Sequence, residues 1–165
     1  MTDGAHRPTV GLTLADVTPG QMLPELVHEV TTTTVVQGSA AARVWRPMHH
    51  DKDYAVRRQG VRDIFLDTQT QGAWLERYLT DWAGPTARLG RLGTRMRNPV
   101  FPGDRMAIDG SVRDVETDDT GCGWVVLDLT IRVGPTVCTE AHAKVALPVD
   151  ASDNPWTRHG DRWQP

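Results

Sequence analysis

The stretch that decides the fold is VVLDLTIRVGPTVCTEAHAKVALPV, residues 125–149. Apolar residues alternate through it in two runs, which are Val125, Leu127, Leu129, Ile131 and Val133, and then Ala141, Ala143, Val145, Leu147 and Val149. A period of two residues is typical of strands that bury one face. Because Gly134-Pro135 separates the runs with a turn signal, the pattern predicts two long neighbouring strands.

A third strand precedes these two. Met106, Ile108 and Val112 share one face of it, interrupted by Gly110. Turn signals at residues 102–104 and 118–121 bound this strand. Since the three strands are adjacent in sequence, an antiparallel meander is the simplest topology.

The strongest helical pattern lies before the meander, over Asp67–Trp82. Spacing of i, i+3, i+4 and i+7 places four residues on one buried stripe, namely Leu75, Tyr78, Leu79 and Trp82. The Gly84-Pro85 pair ends the helix. One long helix followed by a meander predicts an α+β domain whose antiparallel sheet wraps around a central helix.

The first half of the chain carries shorter patterns. Glu25–Val36 is rich in threonine and valine, which favours a strand. Gln37–Arg43 is short and rich in alanine, which suits a brief helix. Asp51 can cap a helical turn that runs to about Arg58 and ends at Gly60.

The two ends differ from the middle. Residues 1–19 are polar and contain two prolines, so we expect a flexible lead-in before a folded domain at residues 20–149. Residues 150–165 lack periodicity, which predicts a poorly ordered tail. Trp156 and Trp163 leave a second interpretation open, in which this segment docks onto the domain or onto a partner.

Composition excludes several classes of protein. The chain has 165 residues, enough for one core, and a net charge of −3, which argues against nucleic-acid binding. It has no apolar run of about 18 residues and no export signal, so we expect a cytoplasmic protein that does not span a membrane. Cys122 and Cys138 have no ligand spacing, and no metal site is predicted.

Two motifs bring a known family to mind. NPVFPGD at residues 98–104 leads directly into the strand of Met106–Val115, and PMHHD at residues 47–51 precedes Asp53-Tyr54-Ala55. Together they resemble the MaoC-like hot-dog hydratases and dehydratases over about residues 20–149. The segments MHHDKDYAVRRQGVRDIF (48–65) and ERYLTDWAGPTA (76–87) are similar to the small MaoC-like subunit of the heteromeric steroid enoyl-CoA hydratase of actinobacteria.

The resemblance implies an (R)-type enoyl-thioester hydratase of the hot-dog fold. In such enzymes an Asp and a His five positions apart hold a water and relay its proton, while a backbone N–H at the start of the central helix polarises the thioester carbonyl. The matching histidine here is His49. Five positions earlier stands Val44, which can neither accept nor donate a proton.

Neighbouring residues supply further candidates for the site. Asp67 is a possible replacement acid at the start of the central helix, although an aspartate there is also a favoured helix cap. Val44, Trp45, Arg46 and His50 are candidates for contact with substrate, and Trp45 and Arg46 equally suit a subunit interface. Arg57 and Arg58 suit a coenzyme A phosphate or a solvated helix face.

Two functions follow from these residues. The first is a hydratase or dehydratase for a bulky, steroid- or polyketide-like acyl thioester, with no cofactor beyond the coenzyme A or carrier protein that holds the substrate. The second is a non-catalytic subunit that shapes the pocket of a two-chain hydratase. A lone hot-dog domain leaves a sheet edge open, so we expect a homodimer or a heteromer with a second MaoC-like chain.

Overall fold

The alternating runs form the long strands of an antiparallel sheet in the computed structural model, which describes residues 11–165. The five strands are β1 (Leu26–Glu29), β2 (Arg88–Met96), β3 (Arg105–Thr117), β4 (Gly123–Val133) and β5 (Thr136–Leu147). Their order in the sheet is β1-β3-β4-β5-β2, with every neighbouring pair antiparallel. The predicted meander of β3, β4 and β5 is therefore confirmed.

Within residues 11–165, three α-helices accompany the sheet, and the longest packs at its centre. They are α1 (Thr32–Ala41), α2 (Lys52–Gln59) and α3 (Thr68–Ala83). In α3 the residues Leu75, Tyr78 and Leu79 are buried in the same core cluster as the inward-facing residues of β3, β4 and β5. The predicted helix and the α+β architecture are confirmed. So is α2, which has Asp51 as its N-cap and Gly60 in the left-handed conformation that ends it.

The strand predicted over Glu25–Val36 is wrong in its second half. Strand β1 ends at Glu29 and helix α1 begins at Thr32. The Thr31 hydroxyl accepts a hydrogen bond from the Thr34 amide at 3.0 Å, and the Thr34 hydroxyl accepts one from the Thr31 amide at 3.1 Å. This reciprocal cap satisfies amides that a helix start leaves unpaired, and it outweighs the strand preference of the β-branched residues.

Strand β2 has no counterpart among the predicted elements. Gly90, Gly93 and several arginines interrupt its apolar pattern, and a bulge between Leu89 and Arg91 shifts its register against β5. Within residues 11–165, β2 pairs with β5 alone and forms one edge of the sheet.

The lead-in predicted at residues 1–19 lies partly outside the described residues, which begin at 11. From there the chain is already packed: the Leu12 amide donates to the Ala83 carbonyl at 2.9 Å and the Leu14 amide to the Pro148 carbonyl at 2.8 Å. Val17 is buried in the core. The described part of the lead-in is therefore joined to the domain, and no helix of residues 11–165 is long and apolar enough to cross a bilayer.

Residues 150–165, for which a poorly ordered tail and a docked segment were both open, pack against the domain in the structure. Trp163 packs on Trp124 of β4, with ring centroids 4.9 Å apart, and the Arg88 guanidinium lies 3.7 Å from the centre of the Trp163 ring. Arg88 also donates to the carbonyls of Pro155 at 3.2 Å and Arg158 at 2.8 Å. The segment docks because it covers Trp124, which is completely buried.

Candidate functional site

His49 is a buried histidine beside the start of α3. It is the last residue of a short 3-10 helix, Pro47–His49, that connects α1 with α2, and only 6% of its surface is exposed. Its Nδ1 lies 2.8 Å from the carbonyl oxygen of Phe65, and its ring meets the Phe65 ring edge-on at 4.9 Å. These two contacts fix the orientation of the imidazole.

The Phe65 contact also assigns the tautomer of His49. A carbonyl oxygen only accepts hydrogen bonds, so Nδ1 carries the proton and Nε2 keeps its lone pair in the neutral ring. No group within residues 11–165 makes a hydrogen bond to Nε2. In His49, Nδ1 is therefore engaged in holding the ring in place, and Nε2 can accept a proton.

Val44, five positions before His49, is held through its backbone. Its amide donates to the Ser39 carbonyl at 2.8 Å, and the buried Ser39 hydroxyl donates to the Val44 carbonyl at 2.5 Å. The side chain is partly buried and consists of methyl groups alone. The position is thus well ordered but has no group that transfers a proton.

The other candidates for substrate contact lie on the surface around His49. Trp45 is 70% exposed, and Arg46 and His50 are exposed as well. Arg43, which leads into this segment, has a left-handed backbone with φ of 56°. No hydrogen bond or ion pair inside the described chain joins Trp45, Arg46 or His50 to His49. Their contact with substrate stays a prediction.

Asp67 is the N-cap of α3 and is almost completely buried. One carboxylate oxygen accepts from the Thr70 amide at 2.8 Å and the other from the Thr70 hydroxyl at 2.7 Å. Both oxygens are therefore engaged in capping the start of the helix, and neither makes a hydrogen bond to His49. This geometry favours the capping interpretation over the replacement acid.

Beside this cap, α1 and α3 enclose a groove of about 410 Å³ that is lined mainly by apolar atoms. Its lining consists of Gly38, Ala41 and Ala42 from α1 and Gln69, Thr70, Ala73, Trp74 and Arg77 from α3. A side chain at Gly38 would come within 2.6 Å of Thr70, so glycine there lets the helices approach. The small residues of α1 leave the space open opposite Trp74.

Trp74 forms a rigid wall of the groove. The His28 ring packs on it with centroids 4.3 Å apart, and the Arg77 guanidinium lies 5.1 Å from its centre. Thr34 lies 3.2 Å from Nε2 of His28. Burial, together with the charge of Arg77, lowers the pKa of His28. His28 therefore packs against Trp74 as a neutral ring over a wider pH range than a free histidine.

Two arginines, one on α2 and one on α3, form ion pairs within their own helix. Arg57 lies 3.5 Å from Asp53, and Arg77 lies 3.2 Å from Asp81. Such exposed pairs fit a solvated helix face. Within the described residues no three metal-ligating side chains cluster, and the two cysteines are buried and unbridged.

Sequence reasoning missed the groove and the partner of His49. Phe65 contributes a backbone carbonyl, which every residue possesses, so its identity carries no signal. His28 and Trp74 are 46 positions apart and meet only in the folded chain. The small residues at Gly38, Ala41 and Ala42 were the available hint, since they leave room beside a helix.

A five-stranded antiparallel sheet around a central helix defines a hot-dog domain. Solved structures agree with this class. A MaoC-like dehydratase from Rhodospirillum rubrum superposes with a TM-score of 0.72 at 18% identity, over 83% of this chain and 97% of the other. This likeness shows the fold.

The sequence identifies the family, although no family model matches the chain. Over 96 residues it is 38% identical to the 3-oxo-4,17-pregnadiene-20-carboxyl-CoA hydratase beta subunit of Mycobacterium tuberculosis, covering 58% of this chain and 74% of that subunit. A chain of the ChsH1–ChsH2 complex from Mycobacterium tuberculosis is 31% identical, with a TM-score of 0.72 over 79% of this chain and 98% of that one. The chain belongs to the MaoC-like hot-dog family of hydratases and dehydratases.

Proposed function

We propose that the chain is a subunit of a MaoC-like hydratase or dehydratase for a bulky enoyl thioester, working with a second MaoC-like chain. The observation that carries this proposal is the geometry of His49. Its Nδ1–H is held by the Phe65 carbonyl, and Nε2 of this buried ring has no hydrogen-bond partner within residues 11–165. That is the arrangement a water-activating histidine requires.

His49 would act on the water that adds to the double bond. In hydration, Nε2 accepts a proton from water while the water oxygen bonds to C3 of the enoyl group, and C2 then takes a proton. In dehydration these steps run in reverse. The first turn of α3 has backbone amides ahead of its first intrahelical donor, which suits polarisation of the thioester carbonyl.

The second proton-transfer group would come from the partner chain. Val44 has only methyl groups, and both carboxylate oxygens of Asp67 are engaged by Thr70. The edge of β2 that no other strand within residues 11–165 covers provides one surface on which a second sheet can pair. The similar chain in the ChsH1–ChsH2 complex supports a heteromer, and a homodimer is the alternative outcome of the same experiment.

The groove between α1 and α3 supports a bulky, apolar acyl group. Its volume of about 410 Å³ falls within the range of roughly 300–1,000 Å³ that is usual for small-molecule sites. A flat ring system would lie against Trp74 over the small residues Ala41 and Ala73. The substrate class of the 38% identical hydratase subunit agrees with a polycyclic acyl-CoA. A polyketide-like group on a carrier protein would fit the same groove.

A non-catalytic, pocket-shaping role is the second candidate function. Two observations favour it: the position five residues before His49 has no proton-transfer group, and Asp67 is used as a helix cap. In that case the groove would bind the acyl group while the other chain holds the complete acid–base pair.

One experiment separates these two functions. The chain is purified with a MaoC-like protein encoded beside it, and hydration of a polycyclic enoyl-CoA is measured for the native complex and for His49→Ala. Loss of one acid–base group is expected to reduce kcat by about 10²–10⁴-fold. His142→Ala is the control, because His142 lies exposed on the sheet and pairs with Asp128. An unchanged rate in His49→Ala would favour the pocket-shaping role.

The acyl site has its own test in α1. Ala41→Leu would fill the groove, whereas Ala40→Leu adds the same side chain to an exposed neighbour that does not line it. We expect Ala41→Leu to raise KM for a polycyclic enoyl-CoA at least about tenfold, since the larger side chain excludes a close-fitting ring. KM for crotonyl-CoA should stay the same in both variants. Equal effects on the two substrates would contradict binding in the groove.

A further inference from the structure

The turn of the NPVFPGD motif is connected to His49 through two phenylalanines. Phe65, whose carbonyl holds Nδ1 of His49, also contacts Phe101 of that turn, with ring centroids 6.2 Å apart. The amide of Leu66 donates to the carbonyl of Val100 at 2.9 Å. Residues 65 and 66 are therefore attached to residues 100 and 101 through both backbone and side chains.

The Phe101 end of this connection is itself held in place. The amide of Phe101 donates to the carboxylate of Asp104 at 2.8 Å. The same carboxylate forms an ion pair with Arg62, whose guanidinium lies 4.4 Å from the centre of the Phe101 ring. Asp104 thus holds the Arg62 guanidinium in place, and that guanidinium makes a cation–π contact with the Phe101 ring.

The turn is anchored on its other side to Val30, the residue that follows β1. Gly103 has a φ of 89°, which favours glycine, and its amide donates to the Val30 carbonyl at 2.7 Å. The amide of Val30 returns a hydrogen bond to the Asp104 carbonyl at 2.9 Å. Asp104 is therefore a fixed point for Arg62 and Phe101.

We infer that Arg62 and Phe101 are positioning residues for His49, acting through the Phe65 ring and carbonyl. This inference rests on the proposed use of Nε2 as a base. The Phe65 carbonyl selects the tautomer with the proton on Nδ1, so its direction determines how many molecules have a free Nε2 lone pair. When Arg62 no longer holds Phe101, Phe65 gains freedom, and the two tautomers of His49 mix.

The test measures the tautomer of His49 directly in the full-length chain. Long-range ¹H–¹⁵N NMR distinguishes a protonated Nδ1 from a protonated Nε2, and His49→Gln identifies the signals. The native chain should show Nδ1–H, and Arg62→Ala should raise the Nε2–H form at least about threefold, since one cation–π contact is lost. Arg62→Lys, which keeps a cation on Asp104 and over Phe101, should restore most of the native signal.

The matched control is Arg105→Ala. Arg105 follows Asp104 directly, is 63% exposed and pairs with Glu29 instead of Phe101. It should leave the His49 signals unchanged. Unchanged signals in Arg62→Ala, or equal changes in Arg62→Ala and Arg105→Ala, would overturn the inference. Phe101→Leu provides a second variant that removes the ring contact and leaves the Asp104 ion pair.

A kinetic measurement on the two-chain complex completes the test. Arg62→Ala should lower kcat about threefold to tenfold with little change in KM, because a misplaced base affects the chemical step more than binding. The NMR result does not depend on any activity. A change of tautomer without any loss of rate in His49→Ala would therefore overturn the proposed function and leave the positioning of His49 standing.

Discussion

The surroundings of His49 and the cluster around Trp124 both enclose a polar ring, but they use its nitrogens differently. The His49 ring is fixed through Nδ1, and Nε2 has no hydrogen-bond partner within residues 11–165. The single N–H of Trp124 donates to Asp118 at 2.8 Å, while Trp163 and Lys144 cover its ring. Nε2 of His49 is therefore available to react, whereas the only N–H of Trp124 is engaged in a hydrogen bond that stabilises the fold.

This difference separates a site from a structural cluster without reference to burial, since both rings are buried. A buried group with every hydrogen bond made is stabilising, and changing it should alter the free energy of unfolding. A buried, oriented group with one nitrogen unpaired can transfer a proton. Substitutions near His49 should therefore change rates, and substitutions near Trp124 should change stability.

Val44→Asp should have the largest effect, and it acts on activity. The backbone at this position is already fixed by Ser39, so a carboxylate would stand five residues before His49 in an ordered segment. We expect hydration by the chain without its partner to rise by about 10²-fold or more, the usual contribution of one acid–base group, whereas the two-chain complex should gain little because the partner already supplies that group. The steady-state rate with a polycyclic enoyl-CoA checks this prediction.

Val56→Asp is the matched control for that change. Val56 is 44% exposed on α2, so an aspartate at this position adds the same charge outside the site. The rate should be unaffected there. No gain in the chain without its partner would show that a carboxylate at this position does not form an acid–base pair with His49, and the rate of His49→Ala in the complex then shows whether His49 takes part in catalysis.

Trp163→Ala tests the structural cluster. It removes the half-buried ring that covers Trp124 and lies beneath Arg88, and it should destabilise the chain by about 2 kcal/mol, less than the loss of a fully buried tryptophan. Urea unfolding measures the effect. Trp156→Ala is the comparison, since Trp156 is 55% exposed and should cost about 1 kcal/mol or less. Equal losses would mean that the cluster does not depend on the Trp124 contact.

Asp67 decides whether a carboxylate near His49 belongs to the site or to the fold. Asp67→Ala should lower the free energy of unfolding by about 1–2 kcal/mol through loss of the α3 cap. Asp67→Asn retains a cap and removes the acid, so it should leave both stability and hydration close to native. A hundredfold slower rate in Asp67→Asn would instead establish Asp67 as the replacement acid.

The elements that were predictable from sequence are those whose signal is local. Helix α3 is predicted by one apolar stripe between Asp67 and Gly84. Strands β4 and β5 are predicted by the uninterrupted alternation of apolar residues. The start of α1 was misassigned because the Thr31–Thr34 cap competes with strand preference within a single turn. His49 was identified by motif, but its tautomer depends on Phe65, sixteen residues away, and no local pattern encodes that contact.

Contacts across the sheet were the least predictable. Trp163 and Trp124 are 39 positions apart, and neither periodicity nor composition pairs them. Gly90 carries a trace of the arrangement, because a side chain there would come within 2.6 Å of the Trp124 ring. In the sequence Gly90 interrupts the alternation of apolar residues, which is why β2 was not predicted. In the structure the same glycine leaves room for the Trp124 ring.

Asp118 provides the smallest effect and a pH signature for the structural cluster. Burial alone would raise the pKa of its carboxyl group, but hydrogen bonds from Trp124, Thr120 and Cys122 outweigh burial and lower this pKa to about 2. A lowered pKa means that the carboxylate stabilises the fold fully above its ordinary value of 3.8, and that this contribution is lost as the pH falls towards 2. Asp118→Asn should therefore be less stable than the native chain at pH 7 and should lose less stability between pH 4 and 2. Urea midpoints at stepped pH measure the slope, with Asp119→Asn as the exposed control. If Asp118→Asn kept the native slope, the Trp124 N–H would not be stabilising a charged partner, and packing of Trp163 alone would hold the cluster together.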